Sequence, residues 1–273
     1  MLAGLALATL AFVVVLALTF PTDALVRWAL TRALPAGGRA VGFERAHLRP
    51  WGLELDGVEV RNPDGTVVIH ADWLTLRPSL SGLVGDGHTG RPWHARMGVC
   101  AGTVDALADR DTTGDVANVT WTDINLAGCP GRLSLATNGA SGISTGHARV
   151  TGSTVEGETT MRALAWTGVV QGLPVLHANA AAAHWTLAGG RLVLDGLAVH
   201  GPDLEARGGG SVRLGESASD STLELVLTVA PGPDAPPQLR NFILHLPGGV
   251  EGSDERHVAV TGPAAAPQVV AAP

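Results

Sequence analysis

Three observations predict a mainly β protein: short runs in which apolar and polar residues alternate, glycine and proline at close intervals between them, and no long helical period in the body. The expected architecture is an antiparallel sheet behind a single N-terminal transmembrane helix and a short amphipathic helix. Of 273 residues, 36 are glycine and 17 proline, yet 45% are apolar, which is too much for a disordered chain. No Gly-X-Y period occurs, so the glycines are not those of collagen. The net charge is -7, and all 18 basic residues are arginine. Such a balance excludes nucleic acid, whose binding needs clustered positive charge to release counterions.

The N-terminal element is the run from Leu2 to Phe20, which carries no charge. As a helix it would span about 28 Å, close to the hydrocarbon thickness of a bilayer. Pro21 ends it. No basic n-region precedes the run, and Ala17-Leu18-Thr19 is a weak cleavage site, which favours a retained anchor over a signal peptide. The expected domains are 1–21 as the anchor, 22–38 as an amphipathic helix with a linker, 39–262 as the β domain and 263–273 as a flexible tail. Leu25, Trp28, Ala29, Leu30 and Ala33 share one face of the second helix. Trp28 lies just past the membrane run and is the membrane-interface candidate.

The body follows. Leu53 and Leu55 alternate with acids, and after Gly57 the apolar phase moves to Val58 and Val60. A slip at glycine is what a bulge or bend produces. Asn62-Pro63-Asp64-Gly65 reads as a turn, Thr66 to His70 as the returning strand, and Leu74 and Leu76 as a further strand. Arg132 to Leu135 precedes an Asn138-Gly139 turn. Thr222 to Val229 places Leu223, Leu225, Leu227 and Val229 on one face. The segment L-x-L-D-G-[V/L]-x-V occurs twice, at Leu53 to Val60 and at Leu192 to Val199, with Leu192 and Leu194 in the places of Leu53 and Leu55. It points to one strand type reused along a repetitive sheet. Leu239, Phe242, Ile243 and Leu246 have helical spacing, and Val258 to Thr261 forms a last strand.

Cys100 and Cys129 each end an apolar strand-like segment. In an oxidising compartment they can pair; otherwise they are buried thiols. Catalytic and metal patterns fail on context. Gly142-Ile143-Ser144-Thr145-Gly146 fits G-x-S-x-G, but glycine and serine crowd it and no helix follows, so a hairpin loop is the expected setting. Asp109 to Asp115 opens like a calcium loop, but the twelfth place holds Thr120. His177 and His184 are seven apart, on opposite faces of a regular strand. No cofactor or metal is expected. The tryptophans of the body fill the core of a sheet poor in other aromatics, or line a groove for an apolar ligand.

Arg49-Pro50-Trp51-Gly52-Leu53-Glu54-Leu55-Asp56-Gly57-Val58 and Leu74-Thr75-Leu76-Arg77-Pro78-Ser79-Leu80, behind the N-terminal run, resemble the N component of type II secretion systems (GspN type), which is akin to AsmA-like envelope proteins. Leu192 to Leu197, Leu204 to Leu214, Leu239 to Leu246 and Val260-Thr261-Gly262-Pro263 are similar to its second half. The resemblance implies a curved antiparallel sheet with an AsmA-like open groove. It also implies a single-pass inner-membrane location with the body in the periplasm, other secretion proteins as partners, and no catalysis. AsmA kinship adds lipid as a possible ligand. The apolar groove, or alternatively a packed core face, is expected at Leu53, Leu55, Val58, Val60, Leu74, Leu76, Leu192, Leu194, Leu223, Leu225 and Leu227.

Overall fold

The computed structural model describes residues 40–49, 51–63, 65–78, 93–111, 114–129, 140–166, 175–215, 220–249 and 251–273. The anchor at 1–21, the helix at 22–38 with Trp28, and the turn at Asn138-Gly139 lie outside them. No helix among the described residues is long and apolar enough to cross a membrane.

Among the described residues, fifteen strands form one open antiparallel sheet in which, from β3 onward, each strand pairs with the next in sequence. Its first edge is a strand broken in two, β1 (Ala40–Gly42) and β2 (Arg45–Arg49), both laid on β3 (Gly52–Arg61). Then follow β4 (Val67–Pro78), β5 (Trp93–Val99), β6 (Gly102–Asp111), β7 (Gly114–Asn125), β8 (Ala140–Thr151) and β9 (Thr154–Trp166). The second half holds β10 (Leu176–Ala188), β11 (Arg191–His200), β12 (Leu204–Arg213) and β13 (Thr222–Pro231). Helix α1 (Pro237–Leu244) intervenes before β14 (Arg256–Pro263) and β15 (Gln268–Ala271). Hairpin connections and antiparallel pairing are what short alternating runs between Gly-rich breaks specify.

The turn at Asn62 to Gly65 closes with Gly65 N–H donating to the Asn62 carbonyl, 2.9 Å. The two strands expected at Thr66 to His70 and Leu74 to Leu76 are one strand, β4. Its apolar phase slips beside Asp72, opposite the slip at Gly57, so β3 and β4 stay in register from Leu53–Leu76 to Val60–Ile69. Gly57 sits at φ 59°, and the Glu44 amide donates to the Asp56 carbonyl at 2.9 Å where β1 and β2 part. The second copy of the motif also turns at its glycine, but the following strand does not slip with it. Gly196 has φ 72°, and β11 shifts register between Leu194 and Leu197 against β12. The repeated Asp-Gly is therefore a device that keeps the apolar residues on both sides of it on the same face.

Among the described residues, two buried clusters stand out. Phe43, Ala46, Leu55, Val58, Ala71, Val99, Cys100 and Cys129 form the first. In the second, Leu239 and Ile243 of α1 pack on Leu176, with Trp166, Leu204 and Val229 around them. Phe242, expected on the same helical stripe, is 40% exposed. The last stretch, expected as a flexible tail, contributes β15, paired with β14 from Val258–Ala271 to Thr261–Gln268.

Candidate functional site

Every leucine and valine named for the groove lies on one face of the sheet. The register carries that face from Leu55 to Leu74, Met97, Val104, Trp121 and Gly146. Two residues along β8, Ala148 continues it through Gly157, Trp185, Leu194, Gly210, Leu225 and Val260. Directly opposite residues in a ladder share a face, so the surface is continuous. Burial varies along it from residue to residue. Leu55 is 1% and Val58 7% exposed, inside the first cluster, so there the packed-core reading holds. Leu192, Leu194, Leu223, Leu225 and Leu227 are only half-buried, as are Leu53, Val60, Leu74 and Leu76.

The tryptophans divide into three kinds. Trp73, Trp121 and Trp185 each stand opposite a glycine on the neighbouring strand: Gly98, Gly146 and Gly157. A Cβ on those glycines would come within 2.5, 2.4 and 2.5 Å of the indole atoms. The ring thus covers the bare backbone that glycine leaves, as aromatic rescue requires. Trp121 donates its Nε1–H to Ser144 Oγ at 3.0 Å, and Trp185 to Thr159 Oγ1 at 2.9 Å. Trp166 packs near α1. Trp51 and Trp93 are exposed. Neither core filling nor groove lining alone describes them. The signal was present as strand glycines, but which glycine faces which tryptophan is a matter of register.

Ser144 corrects the expectation of a hairpin loop. The stretch Gly142 to Gly146 is the interior of β8, and Ser144, 5% exposed, accepts the Trp121 hydrogen bond. A buried serine engaged this way on a strand has no elbow from which to attack. His177 and His184 also differ from expectation. The apolar phase of β10 runs through Leu176 and Ala178, then Ala181, Ala183 and Trp185. Its slip lies at Asn179, whose neighbour on β9, Ala163, has φ 51°. Both histidines consequently point away from the apolar face. His177 Nδ1 lies 3.1 Å from Asp203 Oδ2, which also takes the His177 amide at 2.7 Å.

Cys100 and Cys129 are joined, with Cα atoms 4.8 Å apart. The bond ties the two-residue turn between β5 and β6 to the residue that follows the short 3-10 turn Leu126–Gly128 after β7. Cys100 and Ala101 hold φ of 51° and 62°, the conformation of a primed hairpin turn, without the glycine or asparagine that usually supplies it.

The opposite face is polar and carries cross-strand ion pairs. Arg49 meets Glu54 at 3.1 Å, His94 meets Asp105 at 3.3 Å, and Arg191 meets Glu224 at 3.4 Å. Arg61 hydrogen-bonds Glu59 and holds its carboxyl below the usual range. No group of three His, Cys, Asp or Glu among the described residues is placed to hold a metal ion. The arrangement offers an amphipathic sheet: an ion-paired outer face and an apolar inner one.

No family model matches the chain, and neither does a curated protein or a solved structure.

Proposed function

We propose that the chain is a non-enzymatic component or accessory of the type II secretion system, anchored in the inner membrane with its β body in the periplasm. The support is the resemblance of the Arg49 to Val58 and Leu74 to Leu80 segments, together with a disulfide suited to an oxidising compartment. The observation that carries it is the open sheet with one continuous apolar face, a surface fit to engage partners rather than substrates. Deletion should impair export of folded periplasmic substrates. Normal export in the deletion strain would count against this reading.

A second reading rests on the half-buried leucines of β11 and β13. The sheet is here taken as an AsmA-like open groove, curved by its bulges at Asp123, Ala163 and Gly196. Leu194, Leu223, Leu225 and Leu227 then line a trough for acyl chains or another hydrophobe. Mass spectrometry of protein purified in mild detergent separates the two: co-purifying lipid supports the trough, and its absence leaves the face to protein partners.

A further inference from the structure

The three most exposed large apolar side chains among the described residues lie at one corner of the sheet. Leu48 (68% exposed) is the next-to-last residue of β2, Trp51 (57%) sits in the following turn, and Trp93 (53%) opens β5 opposite Pro78. These positions are the same end of adjacent antiparallel strands. Large aromatic and aliphatic side chains are rarely left in water together without a partner.

The charges beside them are mixed, with a small positive excess. On the polar face at this corner, Arg49, Arg77 and Arg96 stand against Glu54 and Asp105, a local excess of one positive charge in a chain of net charge -7. Arg77 makes no ion pair among the described residues. Glu54, Trp73, Thr75, Arg77, His94 and Arg96 line a depression of about 420 Å³. The Arg96 guanidinium lies 6.0 Å from the centre of the Trp73 ring, which orients it.

Tryptophan and leucine on one side of a rim, with arginine on the other, is the composition of a protein edge resting in a lipid interface. We propose that this rim docks on an anionic phospholipid surface. Trp51, Trp93 and Leu48 enter the interface, while Arg77 and Arg96 hold lipid phosphates in the depression beside Trp73. Docking there sets the end of the apolar face against the hydrocarbon of the bilayer. The proposal rests on the membrane-anchored reading given above, which places the body at a bilayer.

The test uses the full chain in vesicles of acyl-brominated phosphatidylcholine and phosphatidylglycerol, roughly 3:1, because basic side chains respond to anionic surfaces. Flotation is measured first. The fluorescence of Trp51 and Trp93 is then taken as the difference between the natural chain and a Trp51→Phe/Trp93→Phe variant. Quenching of that difference by bromine is expected, with less quenching when phosphatidylglycerol is omitted. Arg77→Gln/Arg96→Gln should shift the docked fraction about fivefold per arginine, the factor expected for one basic group near an anionic surface. Near-UV circular dichroism checks that each variant is folded, and the tryptophan difference stands independently of the arginine pair. Flotation with an unquenched difference overturns the docking alone. Failure to float overturns the docking and the anchor together.

Discussion

Glu59 and Gly146 show how single residues set local stability. The Glu59 carboxyl is lowered first by its hydrogen bond from Arg61, against the opposing effect of desolvation, with the Arg61 charge and His70 adding to the lowering. A carboxyl whose folded value lies below its unfolded one stabilises the fold above the unfolded value of 4.5 and loses that contribution as pH falls through the folded value. The difference in stability between the natural chain and Glu59→Gln should therefore be largest near neutrality and vanish in acid. Denaturant titrations across that range would read it, and a gap that persists below the carboxylate range would contradict the assignment. At Gly146 the constraint is steric. A Cβ there would lie 2.3 Å from the Glu158 carbonyl and 2.4 Å from Trp121. Gly146→Val should cost roughly 1–3 kcal/mol, as overpacking does, and should shift the tryptophan emission. Gly42, with nothing within 4 Å of the same position, serves as the control, and its valine variant should unfold like the natural chain.

At the scale of elements, Asp-Gly slips and the tied hairpin carry the main lessons. Gly57 and Gly196 were legible in the sequence because a repeated L-x-L-D-G pattern changed phase at the same place twice. The slips at Asp72, Asn179 and Ala163 were not, because no glycine marks them and they follow from pairing with a bulged neighbour. The β5–β6 turn places Cys100 and Ala101 in a backbone region unfavourable to side chains, so the bond to Cys129 compensates for a turn of poor intrinsic propensity. Closing a loop of 29 residues' separation stabilises by about 3–4 kcal/mol in the chain-entropy model. Reduction, or Cys100→Ser/Cys129→Ser, should lower the unfolding midpoint accordingly. An unchanged midpoint would mean that the turn needs no tie.

For the whole molecule, the open meander leaves its apolar face unevenly covered. Leu55 is enclosed by the first cluster, whereas Leu225 on the same face is half-buried. Leu55→Ala should cost about 2–5 kcal/mol, the range for a filled core site, and Leu225→Ala distinctly less, measured by denaturant unfolding. Equal costs would mean that Leu225 is enclosed as tightly as Leu55, with no room for a ligand beside it. The groove residues named from sequence all fell on one face because strand periodicity is local. Their division into packed core and open face was hidden, because it depends on Phe43, the disulfide and α1, which come from distant parts of the chain.

The sequence by itself determined the β class, the antiparallel meander, the Asn62 to Gly65 turn, the helix near Leu239 and the alternation that makes one face apolar. These depend on neighbours within a few residues, where side-chain period and turn chemistry act. Tertiary structure alone decided which glycine lies under which tryptophan, that Ser144 is a buried hydrogen-bond acceptor, that Cys100 reaches Cys129, and that Trp51, Trp93 and the arginines share a corner. Each of those is a relation between strands, and register across a sheet is fixed by the summed packing of whole ladders rather than by any residue's own preference.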